Sequence, residues 1–312
     1  MSGPFVLVPI TVTDAMISSS TAAEPGPGET LWNAATNYTV GTEVILTSTH
    51  SVYENLIAGV NATSPDLALT GATPRWLYKR PTNKWATFDG QINTQTAVVT
   101  PLTYVLRPGL FNALAVYGLD GATLLVSIKD APGGTVVSST TLELIEPPVD
   151  HYDYYFGRIK QLTKAIVRDL TPYADPEVTI TITAATGVTV KAGMIALGDL
   201  RSLVTEEAAG GTQYGAQAKP VTYSYISTDA FGVTKIVKRT KSTDMDIRVM
   251  LPAGDADAAL ATIQDVLDVP AAWIGSDVSG FTGLNVFGLA SGNVSYDGPN
   301  HSIVTIQVKG LI

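Results

Sequence analysis

Between residues 177 and 183 the chain reads Glu-Val-Thr-Ile-Thr-Ile-Thr, so that Val178, Ile180 and Ile182 alternate with Thr179, Thr181 and Thr183. A strict period of two, with a β-branched residue at every alternating position, describes a strand with one apolar face and one hydroxylated face. No helix face matches it. Composition extends this to the whole chain. Among 312 residues, 45% are hydrophobic and only 15% charged, with 28 glycines and 18 prolines, as in a turn-rich β protein. The length predicts two or three domains. Low charge suits a surface that is neutral, or covered by partners in a larger assembly.

Residues 1–30 read as an extended N-terminal arm and linker, with an apolar strand over 5–10, a helical turn over 13–16 and a polar stretch over 18–29. Such an arm packs back on its own chain or pairs with a neighbour's sheet, and its removal is expected to leave the remainder folded. Residues 31–90 form a small aromatic β module. Residues 91–210 place strands at 103–106, 113–116, 124–128 and 135–144 between Pro/Gly turns, the spacing of a jelly-roll-like β-sandwich, and Glu146-Pro147-Pro148 closes its first half. An aromatic strand is expected over 151–156, and a hairpin turn at 184–187 leads into 188–190. Ile159, Leu162, Ile166 and Leu170 fall at helical spacing, but Ala165-Ile166-Val167 fits a buried strand, the preferred reading for that half.

The small, Gly-rich stretch 206–215 marks a boundary. Residues 216–312 read as a separate C-terminal α+β domain. Strands are expected at 221–227, 234–239 and 246–250, followed by a helix capped by Asp255 or Asp257. Leu260, Ile263 and Leu267 lie on one helical face, and Pro270 follows the end. Strands at 271–274, 283–289, 292–296 and 302–308 complete it. The expected fold is mainly β and multi-domain.

Three of the four tryptophans, Trp32, Trp76 and Trp85, fall in the module with Tyr38, Tyr53, Tyr78 and Phe88. Large rings are an economical core for so small a unit. Gly41 sits where a tight turn calls for positive φ. The spacing Trp32-x5-Tyr38-x2-Gly41-x2-Val44, followed by Tyr53-Glu54 and a later tryptophan, resembles the small carbohydrate-binding modules of chitinases and related secreted hydrolases. The run Asn83-Lys84-Trp85-Ala86-Thr87-Phe88-Asp89-Gly90 resembles a family of bacteriophage tail and baseplate proteins, as does the ending Ile306-Gln307-Val308-Lys309-Gly310-Leu311. That resemblance implies a virion structural protein, with other tail or baseplate proteins as partners and a homo-oligomeric state. The carbohydrate-binding resemblance makes Trp32, Tyr53, Trp76, Tyr78 and Trp85 the candidate sugar-binding residues. Trp32 and Tyr53 sit inside strand-like runs and read as core. Trp76, Tyr78 and Trp85, near Arg75, Lys79, Arg80 and Lys84, read as more exposed.

The net charge of −9 and the lack of a basic stripe argue against nucleic-acid binding. The absence of cysteine excludes disulfides, thiol catalysis and thiolate metal sites. The N-terminal residues read as neither a signal peptide nor a membrane span. His50, His151 and His301 are dispersed, so no metal motif can be drawn and no cofactor is expected. Ser276, in Gly275-Ser276-Asp277, lacks a nucleophile elbow, and no phosphate loop is present. The carboxylate pairs Asp150/Asp153 and Asp244/Asp246 lack a surrounding glycosidase motif. The glycosylation sequons beginning at Asn37, Asn61 and Asn293 are read as chance. The expected function is therefore non-enzymatic: an adaptor that carries or contacts tail fibres, with glycan-mediated receptor binding as the alternative.

Overall fold

The structure, a computed structural model, describes residues 3–312 apart from 147, 149, 159, 206–209, 277 and 279. Pro147, Ile159, Asp277 and the 206–209 part of the expected boundary lie outside the described residues. In chain order, β1 (Phe5–Pro9) and β2 (Ile17–Ser20) flank one 3-10 turn. The aromatic module contributes β3 (Asn37–Tyr38), β4 (Glu43–Leu46), β5 (Ser51–Asn55), β6 (Gly59–Val60) and β7 (Trp76–Pro81). Next come β8 (Thr96–Val99), β9 (Leu102–Leu106), β10 (Ala113–Tyr117), β11 (Thr123–Lys129), β12 (Val136–Glu143) and helix α1 (His151–Phe156). They are followed by β13 (Lys164–Val167), β14 (Glu177–Thr183), β15 (Thr189–Ala192), β16 (Met194–Ser202) and β17 (Gly211–Thr212). The remainder holds β18 (Gln217–Thr222), β19 (Tyr225–Thr228), β20 (Thr234–Val237), β21 (Lys241–Pro252), helix α2 (Ala256–Asp265), β22 (Ala271–Ile274), β23 (Asn285–Ser295) and β24 (His301–Gly310).

The protein is mainly β, as its alternation and composition predict. In β14, Val178, Ile180 and Ile182 are buried while the threonines are half-buried, and the Thr181 hydroxyl lies 3.2 Å from that of Thr103 on β9. A five-stranded sheet in the order β12-β11-β14-β9-β2 packs on the β13-β10-β16 end of a ten-stranded sheet. Leu114, Val116, Ile195 and Leu197 meet Tyr104, Val126 and Ile180 in the core of this sandwich.

The large sheet does not stop at the sandwich. Its order is β13-β10-β16-β1-β22-β23-β24-β21-β17, with β18 also paired to β21, so the segments read as two separate domains share one sheet. The strand that joins them is β1. Phe5 to Pro9 pair with Ser202 to Gly198 on one side, and Phe5 to Leu7 pair with Ile274 to Ala272 on the other. Val6 lies in the core that α2 covers with Ala259 and Ile263, and Leu7 lies on the opposite face beside Ala115 and Phe287. The ladder is so close that a Cβ at Gly198 would stand 1.9 Å from the Val8 carbonyl oxygen. The N-terminal residues are therefore a central strand of their own chain, not a removable arm.

Other expectations change for local reasons. Residues 151–156 form a helix rather than an aromatic strand, because the Asp150 carboxylate accepts the Asp153 N–H at 2.7 Å and caps it. The turn at 184–187 exists, but β15 leaves β14 and pairs with β8 instead of closing a hairpin. The strands expected at 283–289 and 292–296 are one continuous β23. Residues 164–167 are a strand, as preferred. The side chain of Asp255 does not cap α2. It accepts the N–H and hydroxyl of Thr205, at 2.8 and 2.7 Å, and ties the helix start to the end of β16. Leu267 is exposed beyond the helix end, and the buried helical face is Ala256, Ala259 and Ile263.

Candidate functional site

The aromatic module is built from its rings inward. Gly41 turns with φ 84°, as expected, and Asn55 clamps the same loop by donating to the carbonyls of Thr39 and Ile57 at 3.0 and 2.9 Å. Tyr38, Val44, Tyr53 and Trp76 form a buried cluster with the half-buried Trp32 beside it. Tyr38 meets Trp76 edge-on at 5.5 Å. Trp76 is 1% exposed, which corrects the expectation that it is an open ring. Strand β7 sends it inward and leaves Tyr78 49% exposed, edge-on to Tyr53 at 6.2 Å. Burial and the nearby Asp89 carboxylate push the Tyr78 phenol up. Lys79 pairs with Glu54 at 2.6 Å and Arg80 with Glu43 at 3.1 Å, so both cations are engaged within the module.

Trp85 is also buried, again contrary to expectation, and its position explains the Trp-Ala-Thr-Phe-Asp run. Its indole stacks on His50 at 4.1 Å and meets Phe88 edge-on at 5.8 Å, and Phe88 in turn meets Tyr104 of the sandwich at 5.3 Å. The Tyr104 hydroxyl donates to the Lys84 carbonyl at 2.6 Å, and burial pushes its phenol up to about 12. Beneath these rings the Glu24 carboxylate accepts from Thr82 Oγ1 at 2.7 Å and Trp85 Nε1 at 3.2 Å, with His50 Nδ1 at 3.1 Å. Asp89 ends the run, accepting the Gln91 N–H at 2.8 Å and the Thr94 hydroxyl, and burial pushes its carboxyl up. This cluster joins module, linker and sandwich. Glu24 and His50 had no motif to reveal them, because their partners come from three separate segments.

Of the five candidate sugar residues, the fold brings Tyr53, Trp76 and Trp32 together as core, places Trp85 in the joint and leaves Tyr78 at the surface. The carboxylate pairs have structural partners. Asp150 caps α1, Asp244 accepts the Gly310 N–H at 2.9 Å, and Asp246 pairs with Lys219. Among the described residues no group of three His, Asp or Glu side chains is placed to hold a metal ion.

The sequence pointed less clearly to three other features. On α1, Tyr152, Tyr154, Tyr155 and Phe156 are 70–75% exposed and contact one another, beside a hollow of about 440 Å³ lined by Pro148, Asp150, His151, Tyr154 and Tyr155. Three aromatics in a row after a possible capping Asp were the available signal. The second feature is the two-stranded sheet β19–β20, whose strands pair only with each other. The third is a hollow of about 350 Å³ where the two halves of the large sheet curl together. There Lys164 Nζ donates to the carbonyls of Thr282 and Asn285, the second at 2.9 Å, and burial pushes its ammonium pKa down. Tyr117 Oη, Ser242 Oγ and Asn285 Oδ1 are buried there with no hydrogen-bond partner among the described residues, and burial pushes the Tyr117 phenol up.

The sequence matches no protein-family profile and no curated protein. Among solved structures, it is similar to a chitosan-binding module from a chitosanase/glucanase of Paenibacillus sp. IK-5, at 12% identity and a TM-score of 0.25, over 36% of this chain and 82% of that one. It is also similar to a fucose-binding module of Streptococcus pneumoniae, at 10% identity and a TM-score of 0.27, over 37% of this chain and 83% of that one. Both likenesses are too remote to carry function across.

Proposed function

We propose that this chain is a non-enzymatic structural protein of a bacteriophage tail tip or baseplate, an adaptor that carries or contacts tail fibres and resides in the virion. The carrying observation is where the apolar side chains lie. The rings suited to hold a sugar are largely spent on the core of the module and its joint, whereas β19–β20 and α1 present apolar groups to solvent. Large exposed apolar patches mark surfaces that another molecule covers. The Trp85 to Gly90 resemblance supplies the identity of the assembly. Purified phage particles, analysed by mass spectrometry and by immunogold labelling of this chain, are expected to carry it at the tail end. Particles free of it overturn the reading.

A second reading, recognition of a host surface glycan, is favoured by α1 rather than by the module. Its exposed tyrosine rings border a hollow that also offers Asp150 and His151, the mixture of ring face and polar groups that a pyranose requires. Purified wild-type protein and a Tyr154→Ser, Tyr155→Ser variant would be compared for binding to extracted host polysaccharide. Saturable binding lost in the variant supports glycan recognition, and no binding by the folded wild type removes it.

A further inference from the structure

The β19–β20 hairpin is ordered by its own turn yet apolar on both sides. The Asp229 carboxylate accepts the N–H groups of Phe231 and Val233, both at 2.9 Å, and Gly232 takes φ 82° to close the loop. Side chains of one face include the Tyr225 and Val237 pair, and those of the other include Ile226 and Ile236. All four are exposed, as is Val233, and Phe231 at the tip is 93% exposed. A lone two-stranded ribbon is marginal in water, and so much apolar surface on one raises the cost of leaving it uncovered.

Charge indicates what covers it. Residues 223–240, which link β18 to β21, contain three of the nineteen basic residues, Lys235, Lys238 and Arg239, and one of the twenty-eight acidic ones, Asp229. The segment thus carries +2 and the rest of the chain −11, a body whose sign complements the arm. Among the described residues none of these three cations forms a salt bridge with its own chain. We infer that the β19–β20 hairpin is an assembly arm that docks on a second copy of this chain, burying Phe231, Ile226 and Ile236 against it and setting the arm's cations against its acidic surface. A projecting element that enters a different patch on the next copy makes a head-to-tail contact, which closes a ring when the rotation permits.

The inference rests on the reading of the chain as an assembly protein and is tested apart from it, with the purified full chain. Because there is no native cysteine, an Ala230→Cys variant carrying a benzophenone label reports contacts from the tip alone and keeps Phe231 in place. Sedimentation velocity is expected to show concentration-dependent self-association. In a mixture of isotopically light and heavy protein, cross-links from position 230 are expected to join light to heavy chains. Ile226→Thr with Ile236→Thr, or Lys235→Glu with Lys238→Glu, is expected to weaken association by about ten-fold or more while leaving circular dichroism unchanged. A wild type that stays monomeric up to about 100 µM, cross-links confined to one chain, or folded variants that associate as well as wild type would each overturn it. Monomeric protein found in phage particles would remove the arm and leave the assembly reading, and self-associating protein absent from particles would do the reverse.

Discussion

The indole N–H of Trp85 donates to the Glu24 carboxylate at 3.2 Å, across 61 residues of sequence. The same carboxylate takes the Thr82 hydroxyl and the His50 ring, so one side chain of the linker is tied to three residues of the module, next to the Phe88–Tyr104 contact that joins the module to the sandwich. A tryptophan that looked like a ligand platform is thereby a joint. Glu24→Ala leaves buried donors unmatched and is expected to cost about 3 kcal/mol, and Trp85→Phe, which keeps a ring but loses the N–H, about 1–2 kcal/mol. Urea denaturation checks both, and an unchanged midpoint for Glu24→Ala would show that the cluster is not holding the units together.

Trp76 and Tyr78 are two residues apart on one strand but differ in burial. Trp76→Ala opens a cavity in the module core and is expected to destabilise it by about 3–5 kcal/mol. Tyr78→Ala, at a largely exposed ring, is expected to cost about 1 kcal/mol or less. Near-UV circular dichroism through a thermal melt separates them. Equal effects would mean that Trp76 is not the centre of the cluster.

Removal of residues 3–9 takes a central strand out of the ten-stranded sheet and leaves the facing edges of β16 and β22 unpaired. The truncated protein is expected to be insoluble or to lose cooperative unfolding. Val6→Asp, which places an unpaired carboxylate in the core, is expected to act in the same direction. A soluble truncation with native circular dichroism would show that β1 is dispensable.

The Lys129 ammonium lies 2.5 Å from the Glu177 carboxylate across β11 and β14, and its hydrogen bond holds that carboxyl below the usual range. Because the folded value is depressed, the stability it contributes is present above the ordinary carboxylate range and is lost as the pH falls through the lower, folded value. The difference in melting temperature between wild type and Glu177→Gln is therefore expected to be largest near neutrality and to shrink as the pH falls below the ordinary carboxylate range. A difference that grows on acidification would reverse the assignment.

The expected class of the fold was open in the sequence because it depends on local periodicity. The Val178 to Thr183 alternation fixed a strand and the side it buries, Gly41 marked a positive-φ turn, and the spacing of apolar residues after Pro252 announced α2. Tertiary structure alone decided which strands became neighbours. Nothing within residues 5–9 states that they pair with β16 and β22, since the hydrogen-bonding groups of every strand are the same and their partners lie far along the chain. The same limit applied to the rings. Aromatic residue types marked the module, but whether each ring turned inward depended on the register of β7 and on a carboxylate at Glu24, so Trp76 and Trp85 became core and joint while Tyr78 and the tyrosines of α1 kept the surface.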